Sequence, residues 1–419
     1  MMRRPWLRVS MIAVLAAAVG CLAGPAGATE ATGEAGDGRA ARTERISVAP
    51  DGTGGNSHSV QAVVSADGRV VAFQPSAKNL VPGTDVDSSI FYRTAPGGPL
   101  RRVVVPGEST STPQLSESGR HLTFNSWSAT AQRSSVHVMD LRTGRVDRLA
   151  PAMSEGYRVS YGVAPVSANG RYVAFVARPT GDDEHGAYAC RVMLLDRSTQ
   201  RVRRVSRPSD GSKEFHQCEQ LSMSADGRKV AYLEGYSGPS DTDQGDIVVF
   251  DRVTGKSTEA DATHDGAPAD RSAVAPVLSA DGSKVGFNSV ATNLVPGADP
   301  NGSTSTSWNA FVRDLRTGEL RRYDGHSPTD LTLVSDLSVD GSKLLLNTAD
   351  AHRRTLGLIL RDPRTGHEEL LSPGTDGKPV TVGRAALSAD EKTVVFDSYY
   401  PGLVPDDTNL IGDVFVRSR

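Results

Sequence analysis

Three sets of residues have the types and spacings that chemistry requires. The first is histidine. Nine are present, at 58, 121, 137, 185, 216, 264, 326, 352 and 367, and none falls in a ligand spacing such as His-Glu-x-x-His. The second set is acidic. Asn79-Leu80-Val81-Pro82-Gly83 leads to Asp85 and Asp87. Asn293-Leu294-Val295-Pro296-Gly297 leads to Asp299 and Asn301. Gly402-Leu403-Val404-Pro405 leads to Asp406, Asp407, Asn409 and Asp413. Alternating Asp and Asn oxygens are the hard ligands calcium takes. The distal bidentate Glu of an EF-type loop is missing, so an Asx-rich solvated turn is the alternative. Calcium is the one cofactor these residues suggest. The third set is Cys190 and Cys218, two of the three cysteines. If the chain is exported, an even pair suggests a disulfide between them.

Placing these residues requires the elements that carry them. A Ser-Ala-Asp-Gly-like turn recurs at Ser65, Ser116, Ser167, Ser224, Ser279, Ser338 and Ser388, at spacings of 51, 51, 57, 55, 59 and 50 residues. Eight positions after each Ser stands Phe73, Phe124, Phe175, Tyr232, Phe287, Leu346 or Phe396. Later in the unit an apolar run ends in an Asp turn, as in Asp140-Leu-Arg-Thr-Gly144 and Asp314-Leu-Arg-Thr-Gly318. Each unit reads as four short strands, with Gly at the tight turns. The second strand is apolar throughout, as in Val173-Ala174-Phe175, which means burial on both faces. Four-stranded sheets at a period near fifty, packed on both sides, describe the blades of a β-propeller. The fold class is therefore all-β: seven antiparallel blades, with Phe73 and its equivalents as core between blades.

The ends of the chain support closure. The last unit stops after its third strand, at Val414-Phe415-Val416, and residues 44–48 read as a fourth strand without a blade. The N-terminal strand is thus expected to complete blade seven and remove an open sheet edge.

Composition limits the partners. Lys+Arg is 46 against Asp+Glu 49, a formal net charge of −3 over 419 residues. Without a basic run beyond the N-terminus, nucleic acid is not an expected partner. Arg3, Arg4 and Arg8 precede an apolar run, Met11–Ala23, and Ala26-Gly27-Ala28 has the small residues of a cleavage site. Residues 1–28 read as a signal peptide, 29–43 as a flexible leader and 44–419 as the propeller. No later apolar stretch is long enough to span a bilayer. The expected location is outside the cytoplasm, secreted or in the cell envelope. Arg3-Arg4-Pro5-Trp6-Leu7-Arg8 resembles a twin-arginine motif, and lipoprotein processing at Cys21 is the rival route.

Ser-Ala-Asp-Gly-Arg-x-Val-Ala-Phe, then Asn-Leu-Val-Pro-Gly, then Phe-Val-Arg-Asp-Leu-Arg-Thr-Gly resembles the TolB-type (WD40-like) propeller repeat of secreted actinobacterial proteins. The resemblance covers about residues 44–419. TolB itself adds an N-terminal domain that has no counterpart here. Prolyl-oligopeptidase relatives add a hydrolase domain with a Gly-x-Ser-x-Gly elbow, which Gly235-Tyr236-Ser237-Gly238 does not match. Oligogalacturonate lyases also resemble this layout, with a metal held by clustered His; this chain has no His-x-His pair.

In such a ring, the connections entering each blade share a face with the loops between second and third strands. That loop face is the expected ligand side. His58, Tyr161, His216, Glu219, Arg271, Asp330 and Arg384, at the entry ends of the first strands, are the candidate ligand-binding set. Asp85 and Asp87 with Asp406, Asp407 and Asp413 are the candidate calcium set, where blades one and seven meet. The leading expectation is a monomeric, secreted, non-catalytic propeller binding a protein, peptide or glycan on the loop face. A polysaccharide lyase or lactonase with a loop-bound metal is the alternative, and a structural envelope component is the third reading.

Overall fold

The structure, a computed structural model, describes residues 41–419 except 84–87, 150–156, 161, 180–189, 207–214, 219, 237–243, 297–307, 328–329, 351, 353–354 and 408. The described secondary structure is all strand, in seven antiparallel sheets that form a seven-bladed propeller. Six blades are built from consecutive strands. Blade five, for example, runs Ala273–Leu278, Lys284–Ser289, Asn309–Asp314 and Leu320–Tyr323. Blade four splits its first strand into Phe215–Gln217 and Leu221–Met223, giving five strand segments.

Blade seven consists of Ala385–Leu387, Thr393–Ser398, Asp413–Ser418 and the N-terminal strand Arg42–Arg45. Arg42 lies opposite Ser418 and Arg45 opposite Phe415, and Ile46 N–H donates to the Val414 carbonyl at 2.9 Å. The closing strand thus starts at Arg42, two residues before the expected boundary, because Arg42 and Thr43 still find partners along Asp413–Ser418.

The turn motif explains its own repetition. In blade one, Ser65 Oγ donates to Asp67 Oδ1 at 2.6 Å and accepts from Val70 N–H at 3.0 Å, while Asp67 Oδ1 accepts from Arg69 N–H. The same Ser–Asp pair forms at Ser224–Asp226, Ser279–Asp281 and Ser388–Asp390. The motif also reaches beyond its own blade. Ala66 N–H donates to Glu117 O, Ala168 to Ala225 O, Ala225 to Ala280 O, Asp281 to Val339 O and Ala389 to Ala66 O, all within 2.9 Å. Between blades two and three, Ser118 Oγ donates to Ala168 O. Gly227, at φ +68°, shows why the turn needs glycine. An added Cβ would stand 2.7 Å from the Tyr172 ring of the preceding blade, besides the left-handed backbone. Besides shaping their own blade, these turns link neighbouring blades.

Between blades lie the aromatic residues eight positions after each Ser. Phe73, Phe124, Tyr232, Phe287, Leu346 and Phe396 are fully buried and Phe175 nearly so. Each contributes about 1.5–3 kcal/mol of burial.

Candidate functional site

The first strands of adjacent blades touch one another, so they form the innermost ring around the channel. Those of blades one, two and five carry a bulge, and Gln61, Thr112 and Ala275 sit there at φ +60°, +53° and +55°. A bulge leaves a backbone N–H outside the ladder, and a buried N–H must find an acceptor. The preceding blade supplies it. Gln74 Oε1 takes Thr112 N–H at 2.9 Å, Gln220 Oε1 takes Ala275 N–H, and Asp397 Oδ2 takes Gln61 N–H at 3.0 Å. Gln74 and Asp397 directly follow a core aromatic. Asn125, Asn288 and Asn347 hold the equivalent position, and their amides donate to Gly162, Val334 and Val382 carbonyls of the next blade.

Blade seven uses a carboxylate where blades one, two, five and six use amides. Asp397 is 5% exposed, and burial pushes its carboxyl up to about 6. Asp336, in the first strand of blade six, accepts from Leu387 N–H of blade seven at 2.9 Å and from Leu337 N–H. Burial pushes it up to about 7, with a contribution from Glu117. Blades two and six are not neighbours, so the Glu117–Asp336 interaction crosses the channel. Burial raises Glu117 as well. Arg384 supplies the positive charge. It reaches solvent, yet the surrounding wall depresses its pKa, opposed by Asp397 and Asp336. Both facts fit a guanidinium standing in a narrow wet channel. Channel acids and Arg384 thus form one electrostatic group, but Asp397 and Asp336 are both committed to backbone N–H groups between blades.

The loop face carries the second arrangement. Asn79 Oδ1 accepts from Asn56 N–H and its amide donates to Gly54 O, while Asn56 Oδ1 accepts from Lys78 N–H. Asn293 makes the same clamp with Asp270 N–H and Pro268 O. Leu80, Leu294 and Leu403 are buried beneath. The Leu-Val-Pro loops are therefore plugs that tie a loop to the segment entering its blade. At the seam, Arg45 stands 2.9 Å from Asp406, 3.5 Å from Asp407 and 3.4 Å from Asp413. Ser47 Oγ donates to Asp413 Oδ1 at 2.5 Å. The positive charge these acids require comes from the chain itself. Burial raises Asp413, and Asp407 is raised by burial and by Asp413.

Beside the seam, His58 Nδ1 accepts from Gly412 N–H at 2.9 Å, and its ring centre lies 5.2 Å from that of Tyr399. Tyr399, Tyr400 and Trp127 are the three large aromatics exposed among the described residues, at 46%, 53% and 41%. All three lie at or just beyond the loop-face ends of second strands, in blades seven and two. Leu410 and Val104, both exposed, belong to the same face.

Of the candidate ligand-binding set, Arg384 faces the channel acids and His58 lies on the aromatic rim. Asp330 does neither: it is 3% exposed and accepts Ser327 N–H at 2.9 Å, closing a turn. Arg271 is half-buried in the connection entering blade five. Tyr161 and Glu219 lie outside the described residues, as do Asp85 and Asp87 of the calcium set; His216 is placed by its backbone alone. Asp336, Asp397, Glu117, Tyr399 and Tyr400 were missed. The signal for Asp397 was present, since the residue after each core aromatic is polar in five units.

One constellation has the residue types of a hydrolase site in a different hydrogen-bond order. His137 Nε2 lies 2.8 Å from Ser126 Oγ, and Ser126 Oγ donates to Glu108 Oε2. Glu108 takes the serine proton, which a catalytic histidine would need to accept. His137 Nδ1 has no partner, and burial lowers its pKa to about 4. All of this holds the wall of blade two together.

Cys190 and Cys218 form a disulfide between blades three and four, Cα atoms 6.1 Å apart. No helix among the described residues is long and apolar enough to cross a membrane.

No protein-family model and no curated protein matches the chain. Solved structures do match. An oligogalacturonate lyase in complex with manganese aligns over 90% of this chain and 96% of its own, at TM-score 0.58 and 13% identity. The β-propeller domain of the trilobed protease from Pyrococcus furiosus aligns over 81% of this chain and 91% of its own, at TM-score 0.53 and 13% identity. TolB from Acinetobacter baumannii aligns over 71% of this chain and 62% of its own, at TM-score 0.38 and 14% identity. At such identity the likeness shows the propeller fold alone.

Proposed function

We propose that this chain is an exported, non-catalytic propeller that binds a protein, peptide or glycan on its loop face, at the rim formed by blades seven, one and two. The observation that carries the reading is the placement of the exposed aromatics. Tyr399, Tyr400 and Trp127 all lie on that face, Tyr399 beside His58, while the opposite face holds the hydrogen-bonded turns. Tyrosine offers a flat apolar surface with a polar tip, the residue type favoured where a partner docks. Asp336 and Asp397 in the channel each cap backbone donors between blades, which suits a structural role. Export is supported by the signal-like N-terminus and the Cys190–Cys218 bridge.

A second reading, a metal-assisted polysaccharide lyase, draws on the whole-chain likeness to an oligogalacturonate lyase in complex with manganese and on Arg384 in the channel. An array of immobilised oligosaccharides and peptides, probed with the parent and with Tyr399→Ala/Tyr400→Ala, tests the binding reading. Selective binding that drops at least tenfold in the folded double variant supports it. Binding indifferent to both tyrosines removes its basis.

A further inference from the structure

We propose that blade four carries a binding site for a hard divalent cation, calcium in the first instance, formed by Asp246, Glu259 and Asp261. One carboxylate oxygen from each lies within 4.8 Å of the other two. Three carboxylates at that separation repel, and oxygen-only ligands suit calcium.

Comparison of the blades gives the independent support. Asp261 is fully buried, and its Oδ1 accepts Ile247 N–H at 2.9 Å where the fourth strand leaves the blade. Blades three, six and seven give that task to a hydroxyl. Ser206, Ser372 and Ser47 accept from Val192, Leu358 and Val414 N–H at 3.2, 2.9 and 3.1 Å. Serine suffices for the fold, so the aspartate carries a second oxygen the fold does not use. That oxygen, Oδ2, is buried and has no hydrogen-bond partner. Leaving such a charged group unmatched costs several kcal/mol unless a cation or proton compensates.

The next position shows the same inversion. On the fourth strand, the residue opposite the partner of the core aromatic is Arg102, Arg148, Arg204, Arg322 and Arg45 in five blades. In blade four it is Glu259, opposite Val248. Blade seven shows what the arginine does. Arg45 neutralises Asp413, which directly precedes Val414 as Asp246 directly precedes Ile247. Blade four keeps the third-strand acid, replaces the serine by aspartate and replaces the arginine by glutamate. Arg313, from blade five, approaches Asp261 but spends its guanidinium on the Ala260, Ala262 and Gly318 carbonyls. A bound cation would occupy the place that the guanidinium fills in blade seven.

The site does not depend on the loop-face reading. The test is isothermal titration of chelator-treated full chain with calcium chloride, alongside melts in calcium and in chelator. The expected result is one site with a dissociation constant of about 10⁻⁴–10⁻³ M and a higher Tm in calcium. Asp261→Ser installs the residue of three sister blades, so it should fold, melt no lower than the parent in chelator, and bind calcium at least tenfold more weakly. Glu259→Arg, the residue of five sister blades, should lose binding likewise, while Glu319→Gln, at an exposed acid of blade five, should leave it unchanged. Parent melts that are identical in calcium and chelator, or calcium binding retained in Asp261→Ser and Glu259→Arg, would overturn the assignment.

Discussion

Asp397→Asn should stabilise the ring at neutral pH and remove part of its acid dependence. In the folded chain this carboxyl is raised from 3.8 to about 6 by burial. A raised folded-state pKa means the native state holds the proton more tightly than the unfolded chain. The associated stability is fully present below 3.8 and is lost as pH rises through about 6. A rise of that size corresponds to roughly 3 kcal/mol lost between about pH 4 and about pH 7. Asparagine keeps an acceptor for Gln61 N–H, as amides do in sister blades. It cannot also accept Arg384 N–H, now 3.3 Å from Asp397 Oδ1, which costs about 1 kcal/mol. The net gain at neutral to slightly alkaline pH is therefore about 2 kcal/mol. Urea unfolding of both proteins in steps from about pH 4 to about pH 8, a range that brackets both the unfolded and the folded pKa, reads it directly. The parent should lose stability towards neutral pH more steeply than the variant. Parallel profiles, or a variant less stable than the parent at the alkaline end, would refute the assignment of Asp397 as a strained inter-blade acceptor.

Two further outcomes follow from the seam and the bridge. Arg45→Met should destabilise by about 3–5 kcal/mol at neutral pH, because it leaves Asp407 and Asp413 buried without their cation. Since both acids already hold protons more tightly than usual, the loss should shrink in acid, and denaturant curves at two pH values check this. Cys190→Ala/Cys218→Ala opens a 28-residue loop and should cost roughly 3.5 kcal/mol in the chain-entropy view, seen as a lowered denaturation midpoint.

The blades were legible because their turn is a local device: Ser, Asp and Gly bond to each other within six residues, so the pattern survives in one dimension. Closure was legible for a related reason, since an unpaired strand read at residues 44–48 and a last unit without its fourth strand are complementary absences, and the two do pair. The candidate site was much less so. Asp397 matters because Gln61, distant in sequence, bulges and exposes its N–H, and no spacing reports a bulge in the next blade. Arg45 among the seam acids was hidden likewise, because the cation and its carboxylates come from opposite ends of the chain. Glu259 was legible in the spacing, since Arg148, Arg204 and Arg322 each stand eight residues after the Asp of their turn and Glu259 stands eight after Asp251; only Arg102 and Arg45 needed the register to join them. Asp330 was ambiguous for the converse reason, since an acid beside a strand entry satisfies a turn, as this one does with Ser327 N–H, as readily as a ligand.

A binding propeller must hold its ligand on the loop face and return it unchanged. The direct measurement is mass spectrometry of each array-selected ligand, and of oligogalacturonate with manganese, after prolonged incubation with the parent chain. Intact ligand, with binding that depends on Tyr399 and Tyr400, is the predicted result. A cleaved product that disappears in Arg384→Met would contradict it and place catalysis in the channel.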